Sequence, residues 1–376
     1  MLKEKRVNNE EKDWSEQVRE EVKKLSNYIP GKPINEVKKE YGLSKVIKLA
    51  SNENPLKVSA NVQETIIKEC KRINRYPDGA SRKLVNKLAE KLDISEDMIT
   101  LGNGSDGLLK VIAETFLAQN DEVIISYPSF VEYNFVSQLM GCQITRVWTR
   151  NYQQNITGIR DAITAKTKLI FLANPDNPTG TIITKSKLDE LLLNNKASDV
   201  IVIIDEAYHE YVQNNNYPDS LDYVKAGYPV IVLRTLSKAY GLAGLRLGYA
   251  LTTPKVKAML MKVRDPFNVN HIAEMAGIAA LNDDEFFHES INNNKREKEY
   301  LYQELERLNL NYVPSESNFI LIDTGMDSLK LFTELMKKGV IIRPGKLLGY
   351  NRHIRVSIGT HEENEEFIRV LELTLE

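Results

Sequence analysis

The sequence has few of the residues that form disulfide frameworks and metal sites. It contains only two cysteines, Cys70 and Cys142, among 376 residues, and its five histidines show no HxxxH or HxH spacing. Two cysteines are too few for a disulfide scaffold, so we expect a reducing compartment, the cytoplasm. Because the histidines lack the spacing typical of zinc ligands, we expect no bound metal.

Large excess charge and long apolar runs are also missing. The formal net charge is −2, which removes the bulk electrostatic argument for binding nucleic acid. No uncharged apolar run reaches the length of a membrane span, and the N-terminus, rich in Lys and Glu, does not resemble a signal peptide. The residues before Tyr28 carry no helix-turn-helix pattern. We therefore expect a protein that binds neither nucleic acid nor a membrane.

Alternating helical and strand patterns between about residues 60 and 250 predict an α/β fold. Helices are predicted at 61–74, 81–92, 105–118, 129–140, 184–194 and 219–225. Strands are predicted at 121–125, 144–148, 168–172, 200–204 and 230–233. Strands that are apolar on both faces and separated by helices indicate a mostly parallel sheet covered on both sides.

The pattern changes after about residue 280. A long charged helix at 285–308 is followed by short strands and helices, which is typical of a smaller α+β domain. The short strands are predicted at 318–323, 340–343 and 353–358, and the helices at 327–338 and from 362. We therefore predict an N-terminal arm (1–27), a small domain (28–56 and 281–376) and a large domain (57–280).

Three polar clusters follow apolar segments. The glycine-rich Leu101–Asp106 opens a helix, and it indicates either an anion site or an ordinary helix N-cap. The loop Asn174–Gly180 contains two Asx-Pro turns that hold Asn177 rigidly. Asp205 ends a buried strand, where a carboxylate needs a cation or a proton opposite it, so a structural ion pair is the alternative.

A fourth cluster surrounds Lys238. This lysine follows the strand 230–233, and such an amine can hold a carbonyl cofactor covalently. Nearby Thr235, Ser237 and Arg246 are donor types that bind phosphate. The stretch alone is only suggestive, but together the four clusters supply what pyridoxal phosphate requires.

The motifs Asn-Pro-x-Asn-Pro-Thr-Gly, Asp-Glu-Ala-Tyr and Ser-Lys-x-x-Gly-Leu-x-Gly-x-Arg occur in this order. From about Tyr28 to the C-terminus the chain resembles the fold type I pyridoxal-phosphate aminotransferases. Within that group it is most similar to the histidinol-phosphate aminotransferases. The segments that carry this narrower resemblance are 28–32, 48–55, 75–79, 101–106, 318–319, 342–344 and 354–360.

The resemblance implies a role for each matching residue. Lys238 is similar to the Schiff-base lysine, Asp205 to the partner of the pyridine nitrogen, and Tyr208 to a donor to the ring oxygen. The other cofactor contacts are expected at Gly104, Ser105, Asp106, Phe130, Asn177, Thr235, Ser237 and Arg246, and at Tyr76, which would reach the neighbouring subunit's cofactor. The substrate contacts are expected at Tyr28, Asn54, Asn177, Arg343 and Arg355, with Arg355 as the carboxylate clamp. Phe130 has a simpler alternative as a core residue.

The expected function is therefore that of a homodimeric aminotransferase with active sites shared between subunits. Its substrates would be small amines and 2-oxo acids, namely histidinol phosphate and 2-oxoglutarate. An aromatic or broad-specificity aminotransferase is the first alternative, and a threonine-phosphate decarboxylase is the second. One departure from the resemblance is Gly107, where many histidinol-phosphate enzymes carry an acidic residue.

Overall fold

The structure is a computed structural model, and it describes residues 14–27, 31–195 and 199–376. Its helices are α1 (Glu20–Lys23), α2 (Ile34–Tyr41), α3 (Ala60–Glu69), α4 (Arg82–Leu92), α5 (Gly104–Phe116), α6 (Val131–Leu139), α7 (Ile156–Asp161), α8 (Lys185–Asn195), α9 (Ser220–Lys225), α10 (Pro254–Val263), α11 (His271–Leu281), α12 (Asp284–Arg307), α13 (Ser328–Lys337) and α14 (His361–Leu375). Its strands are β1 (Ile47–Lys48), β2 (Ile99–Asn103), β3 (Glu122–Tyr127), β4 (Gln143–Trp148), β5 (Thr167–Ala173), β6 (Ile201–Asp205), β7 (Val230–Thr235), β8 (Leu247–Leu251), β9 (Asn311–Val313), β10 (Phe319–Asp323), β11 (Val340–Ile341), β12 (Arg343–Pro344) and β13 (His353–Ser357).

The larger sheet has seven strands in the order β2-β8-β7-β6-β5-β3-β4. The run β7-β6-β5-β3-β4 is parallel throughout, and β8 is antiparallel to both of its neighbours. Every residue of β7 and β8 is buried, as expected for strands covered on both faces. The predicted α/β fold with a mostly parallel sheet is confirmed. The carboxyl ends of β5, β6 and β7 lie side by side, which places the polar segments that follow them at one edge.

Two strands of this sheet, β2 and β8, were not predicted. The segment Leu101–Asn103, which we assigned to a loop opening a helix, instead forms the end of β2. Gly102 and Gly248 lie opposite each other in these strands, and glycine is a weak strand signal. Both glycines have a packing reason, because a Cβ on Gly248 would lie 2.7 Å from the backbone nitrogen of Ser105. The close approach of α5 therefore requires glycine at these two positions. Because glycine is a weak strand signal, the sequence pattern does not indicate strands there.

The second sheet is built from the C-terminal part of the chain. Its four strands are antiparallel in the order β12-β13-β10-β9, as expected for the small α+β unit. Strand β1 pairs in parallel with β11, which joins the segment near residue 47 to this C-terminal part. The domain boundaries at residues 28, 57 and 281 remain predictions.

The described part of the predicted N-terminal arm is locally ordered. A 3-10 turn at Trp14–Gln17 precedes α1, and Nη2 of Arg19 donates to the carbonyl oxygen of Leu139 at 2.8 Å. Residues 1–13 and Tyr28 lie outside the described residues. Across the described ranges, no helix combines the length and the apolar character that crossing a bilayer would require.

Candidate active site

A cavity of about 410 Å³ opens at the carboxyl ends of β5, β6 and β7. It brings together most of the residues that the sequence singled out. The predicted site residues that line it are Ser105, Asp106, Phe130, Asn177, Asp205, Tyr208, Thr235, Ser237, Lys238, Arg246, Arg343 and Arg355. Of the predicted residues that the structure describes, Gly104, Tyr76 and Asn54 do not line it.

Lys238 lies just after β7, with its side chain partly exposed to the cavity and otherwise enclosed. Its Nζ is 5.6 Å from the centroid of the Tyr208 ring. Burial, and then the positive charge of Arg355, lower the pKa of Lys238 to about 8. A substantial fraction of the amine is therefore neutral near physiological pH, as a nucleophile or a base requires.

Asn54 lies behind this lysine. Its Nδ2 donates to the carbonyl oxygens of Lys238 and Ala239 at 3.1 Å each and to Oγ of Ser290 at 2.7 Å. The amide thus fixes the backbone that carries the amine. In this geometry Asn54 positions Lys238 and does not face the predicted substrate volume.

Asp205 ends β6 and is 5% exposed. Its Oδ2 accepts from the hydroxyl of Tyr133 at 2.9 Å, and its Oδ1 accepts from the backbone N–H of Ala207 at 3.2 Å. Burial raises the pKa of this carboxyl to about 6, against the opposing effect of the Tyr133 hydrogen bond. No salt bridge to Asp205 forms within the described ranges, so the structural ion pair considered above is absent from them. A cationic ligand nitrogen would supply the missing counter-charge.

Tyr208 stands at the centre of an amide network. Its phenol oxygen accepts from Nδ2 of Asn52 at 3.0 Å and from Nδ2 of Asn177 at 3.3 Å. Burial raises the pKa of Tyr208, so the phenol stays protonated at neutral pH. With two N–H groups donating to its oxygen, the phenol can direct its own hydrogen to a ligand oxygen.

Two arginines close the other side of the cavity. Arg355 is 6% exposed, and its Nη1 and Nη2 donate to Oδ1 of Asn177 at 2.6 Å and to the carbonyl of Ala50 at 2.9 Å. In the antiparallel pairing of β12 with β13, Arg343 lies directly opposite Arg355. Like charges placed opposite each other are unfavourable unless an anion offsets them. Both arginines line the cavity, so together they can bind an anionic substrate.

A third polar group lies at the amino end of α5. Arg246 Nη2 contacts Oδ2 of Asp106 at 2.9 Å, and Thr235 Oγ1 donates to Oγ of Ser237 at 2.9 Å. Gly104 has φ +72, and a Cβ there would lie 2.5 Å from Nη2 of Arg246. Gly104 thus makes room for the guanidinium without lining the cavity. Free N–H groups of the first helical turn, hydroxyls and an arginine together suit a phosphate.

Behind the cavity lies a buried charged layer. Arg234 Nε pairs with Oε2 of Glu206 at 2.8 Å, and both side chains are almost fully buried. The side chain of Glu210 is 5% exposed, and burial raises the pKa of its carboxyl to about 8. None of these three residues lines the cavity.

Tyr76 lies outside the cavity of its own chain. It is 82% exposed, and its ring stacks on Phe267 with the centroids 4.7 Å apart. The simple core interpretation of Phe130 is incomplete, because Phe130 lines the cavity and also packs edge-to-face on Tyr133.

Several site residues were missed from the sequence. Tyr133 donates to Asp205 and lies one helical turn after Phe130, in the segment that follows β3. Its position after a strand end was therefore a signal available in the sequence. Asn52 belongs to the polar run Ser51–Pro55, a loop whose contacts with Tyr208 only the fold reveals. Ser51 and Glu53 of that run also line the cavity.

Comparison with known proteins agrees with this geometry. The family described as "Aminotransferase class I and II" matches residues 44–371. The chain belongs to this family. Membership confirms the predicted fold type, the aminotransferase activity and pyridoxal phosphate as the cofactor expected from the motifs.

The relatives include proteins of narrower description. Histidinol-phosphate aminotransferase of Moorella thermoacetica is 46% identical over 354 residues, which are 94% of this chain and 92% of that protein. Histidinol-phosphate aminotransferase 2 of Carboxydothermus hydrogenoformans is 41% identical over 96% of this chain and 99% of that protein. The crystal structure of histidinol-phosphate aminotransferase from Sinorhizobium meliloti with pyridoxal-5'-phosphate superposes with a TM-score of 0.88 and 26% identity, covering 96% of this chain and 97% of that one.

The residues of this aminotransferase fit the cofactor. A buried carboxyl short of a counter-charge, a cavity amine of lowered pKa and an anion-binding helix end lie around one volume. The space that Gly104 leaves for Arg246 is part of the same arrangement. Among the residues that the structure describes, no three His, Cys, Asp or Glu side chains group as metal ligands.

Proposed function

We propose that the chain is a histidinol-phosphate aminotransferase that exchanges an amino group between histidinol phosphate and 2-oxoglutarate. The observation that carries the proposal is the convergence of Lys238, Asp205 and the opposed pair Arg343 and Arg355 on one cavity. The relatives described above, which bear that name and align over nearly their full length, support the choice of substrate.

Most of the predicted polar residues of the cavity would hold the cofactor. Lys238 would hold it covalently, Asp205 would face the ring nitrogen, and Tyr208 with Asn177 would face the ring oxygen. Its phosphate would be held by the backbone N–H groups of Ser105 and Asp106 in the first turn of α5, and by the side chains of Ser105, Thr235, Ser237 and Arg246. Bound pyridoxal phosphate supplies an electron sink for the carbon that bears the substrate's amine.

Lys238 is the group that moves the proton. Its lowered pKa of about 8 leaves about a tenth of the amine neutral at pH 7 and about half at pH 8. The neutral Nζ can thus accept a proton from the substrate carbon, and the resulting ammonium can donate that proton to a different atom in the active site. Asn54 holds the Lys238 backbone, so the amine swings from a fixed base.

Asp205 and Tyr208 act by holding charge in place. Each oxygen of Asp205 already accepts one hydrogen bond, which orients the carboxylate toward the cavity. A cation facing Asp205 would lower its raised pKa and keep it ionised. Tyr208, oriented by Asn52 and Asn177, donates to a developing negative oxygen.

The two arginines bind both substrates in one volume. Arg355 donates to Asn177 and Ala50, and its guanidinium can also donate to a carboxylate in a bidentate geometry. Arg343 adds a second positive charge directly across the strand pair. A phosphate ester or the distal carboxylate of glutamate can use this second charge, so one pocket serves both half-reactions.

The dimer and the compartment belong to the same proposal. The exposed Tyr76 and the exposed apolar Ile67 and Ile73 support a homodimer in which Tyr76 reaches the partner's site. Two free cysteines, Cys70 and Cys142, support a cytoplasmic location.

The test is a comparison of single-turnover amino transfer with histidinol phosphate, phenylalanine, tyrosine and glutamate. We expect histidinol phosphate and glutamate to give the highest kcat/KM. A higher value for phenylalanine or tyrosine would replace this proposal with the aromatic alternative. Release of carbon dioxide from threonine phosphate would favour the decarboxylase alternative.

A further inference from the structure

A second cavity of about 680 Å³ lies between segments that follow strands of the large sheet and the C-terminal part of the chain. One wall comes from residues within 150–157 and 181–187, and the other comes from α12 and residues 314–316. It shares no lining residue with the active-site cavity. None of the functions assigned above uses it.

Lys298, on α12, is the unusual residue of this second cavity. It is 8% exposed, and its Nζ donates to the carbonyl oxygen of Ser315 at 2.8 Å. An ammonium has three donors, and this carbonyl satisfies one of them. Burial lowers the pKa of Lys298 to about 8, although Glu316 and Glu299 partly oppose the shift. A buried ammonium with only one of its donors satisfied is energetically costly, so we expect Lys298 to pair with an anion.

The charges around Lys298 are unequal. The lining contains four cationic side chains and two acidic ones, namely Arg150, Lys187, Lys295 and Lys298 against Glu299 and Glu316. Oε2 of Glu316 is engaged, since it accepts from the backbone N–H of Gln213 at 2.8 Å. Lys187 pairs with Glu190 at 3.1 Å, so its charge is offset outside the lining. The other lining residues carry three cations against two carboxylates, which leaves a small positive excess around the buried ammonium.

We propose that this second cavity binds a small anionic metabolite whose carboxylate or phosphate group pairs with Lys298. Rim cations at Arg150 and Lys295 add attraction, and they favour a ligand with more than one negative charge. The cavity is large enough for a ligand of metabolite size.

The loop 174–181 connects this site with the active site. In the loop 174–181, Pro175 and Asn177 line the active-site cavity, whereas Thr181 lines the second one. The backbone N–H of Glu316 donates to the carbonyl of Gly180 at 2.8 Å, next to the Ser315 carbonyl that Lys298 contacts. A ligand that binds Lys298 would compete with the contact between Lys298 and the Ser315 carbonyl. It would thereby affect the adjacent bond from Glu316 to Gly180, which holds the loop that positions Asn177. We expect its binding to change the apparent affinity for glutamate, and glutamate to change its affinity in return.

The experiment is calorimetric titration of cofactor-saturated enzyme with inorganic phosphate and, separately, with citrate. Wild-type enzyme should bind at the arginines of the active site and at a second site. Lys298→Met should weaken the second event about tenfold or more, as expected for a lost charge-assisted hydrogen bond. Arg355→Ala should retain the second event. Stronger binding of phosphate or of citrate assigns the ligand class.

A second variant protects the test against misfolding of Lys298→Met. The exposed pair Arg150→Gln and Lys295→Gln should weaken the same event several-fold while the structure is kept. The proposal is overturned if both sets of variants titrate like wild-type enzyme. It is equally overturned if Arg355→Ala abolishes all binding up to millimolar concentrations.

Discussion

Nη1 of Arg355 donates to Oδ1 of Asn177 at 2.6 Å, across a sequence separation of 178 residues. The arginine predicted to clamp the substrate is thus held by an amide predicted to contact the cofactor. Nδ2 of the same amide donates to Tyr208. One side chain therefore orients groups on both sides of the reacting volume, and this joint role can be measured.

Asn177→Ala should lower kcat/KM for glutamate roughly 10- to 100-fold, since it removes a charge-assisted hydrogen bond and the Tyr208 contact. A double-mutant cycle with Arg355→Lys should give a coupling free energy of about 1 kcal/mol or more. A cycle between Arg355→Lys and the exposed Lys225→Ala on α9 serves as the additive control. Additivity in both cycles would show that Asn177 and Arg355 act independently.

Lys238→Met should abolish covalent attachment of the cofactor and reduce amino transfer by several orders of magnitude, roughly 10³-fold or more. In the wild-type apoenzyme, the rate of cofactor attachment should rise with pH and level off above about 8. The sign follows from the lowered pKa of Lys238, because the reactive neutral amine increases as pH rises through that value. Mass spectrometry after reduction, together with stopped-flow absorbance, measures both effects. Attachment to another lysine would contradict the assignment.

Arg343→Ala should lower kcat/KM for histidinol phosphate by roughly 10- to 150-fold. It should lower kcat/KM for glutamate by a smaller factor. A phosphate ester carries more negative charge than a carboxylate, so it loses more when one of two opposed arginines is removed. Arg355→Ala should impair both substrates. The exposed Arg352→Ala is the matched control on the same strand connection. Equal losses for both substrates with Arg343→Ala would mean that this residue does not discriminate.

Tyr76→Ala and Lys238→Ala subunits should each be inactive alone and should regain activity when mixed. In a hybrid dimer with shared sites, one of the two sites carries both native residues. The recovered activity should approach about a quarter of wild type for random exchange, in keeping with two-fold assembly. Subunit exchange is verified by native mass spectrometry. Activity that stays at the parental level after full exchange would contradict the assignment of Tyr76 to the partner's site.

Glu210→Gln should make the protein less sensitive to rising pH. Burial raises the pKa of Glu210 from 4.5 to about 8, so the folded protein holds a proton that the unfolded chain releases. Between these two values the free energy of unfolding falls as pH rises, by up to about 1.4 kcal/mol per pH unit. The glutamine variant lacks this contribution. Urea midpoints at several pH values measure it, with exposed Glu90→Gln as the control that should follow wild type.

The sequence predicted the elements whose apolar pattern is strong. Helix α4 falls at Arg82–Leu92 where 81–92 was expected, and β7 falls at Val230–Thr235 where 230–233 was expected. It did not predict β2 and β8, because Gly102 and Gly248 have low strand propensity. These glycines are required by the close packing of α5 against the two strands. Such a requirement belongs to tertiary packing, which a local pattern does not contain.

The residues of the candidate site divide in the same way, into those that a local motif indicates and those that only tertiary packing reveals. Motif residues such as Lys238 and Asp205 were predicted because their chemistry is unusual at a strand end. Asn54 was predicted near the substrate, yet it holds the backbone of Lys238, since the direction of a loop side chain depends on what packs behind it. Asn52 was missed for the same reason. Tyr28 lies outside the described residues, and its role stays a prediction.

The contact between Gly248 and α5 bears on how variants of this enzyme are interpreted. Gly248 does not line the cavity, yet a single methyl group there would press on the backbone of Gly104 and Ser105 at 2.8 and 2.7 Å. Sequence changes at this glycine are therefore expected to behave like active-site lesions. A ranking of variants by whether the residue lines the cavity would score Gly248 as tolerant and would misclassify it.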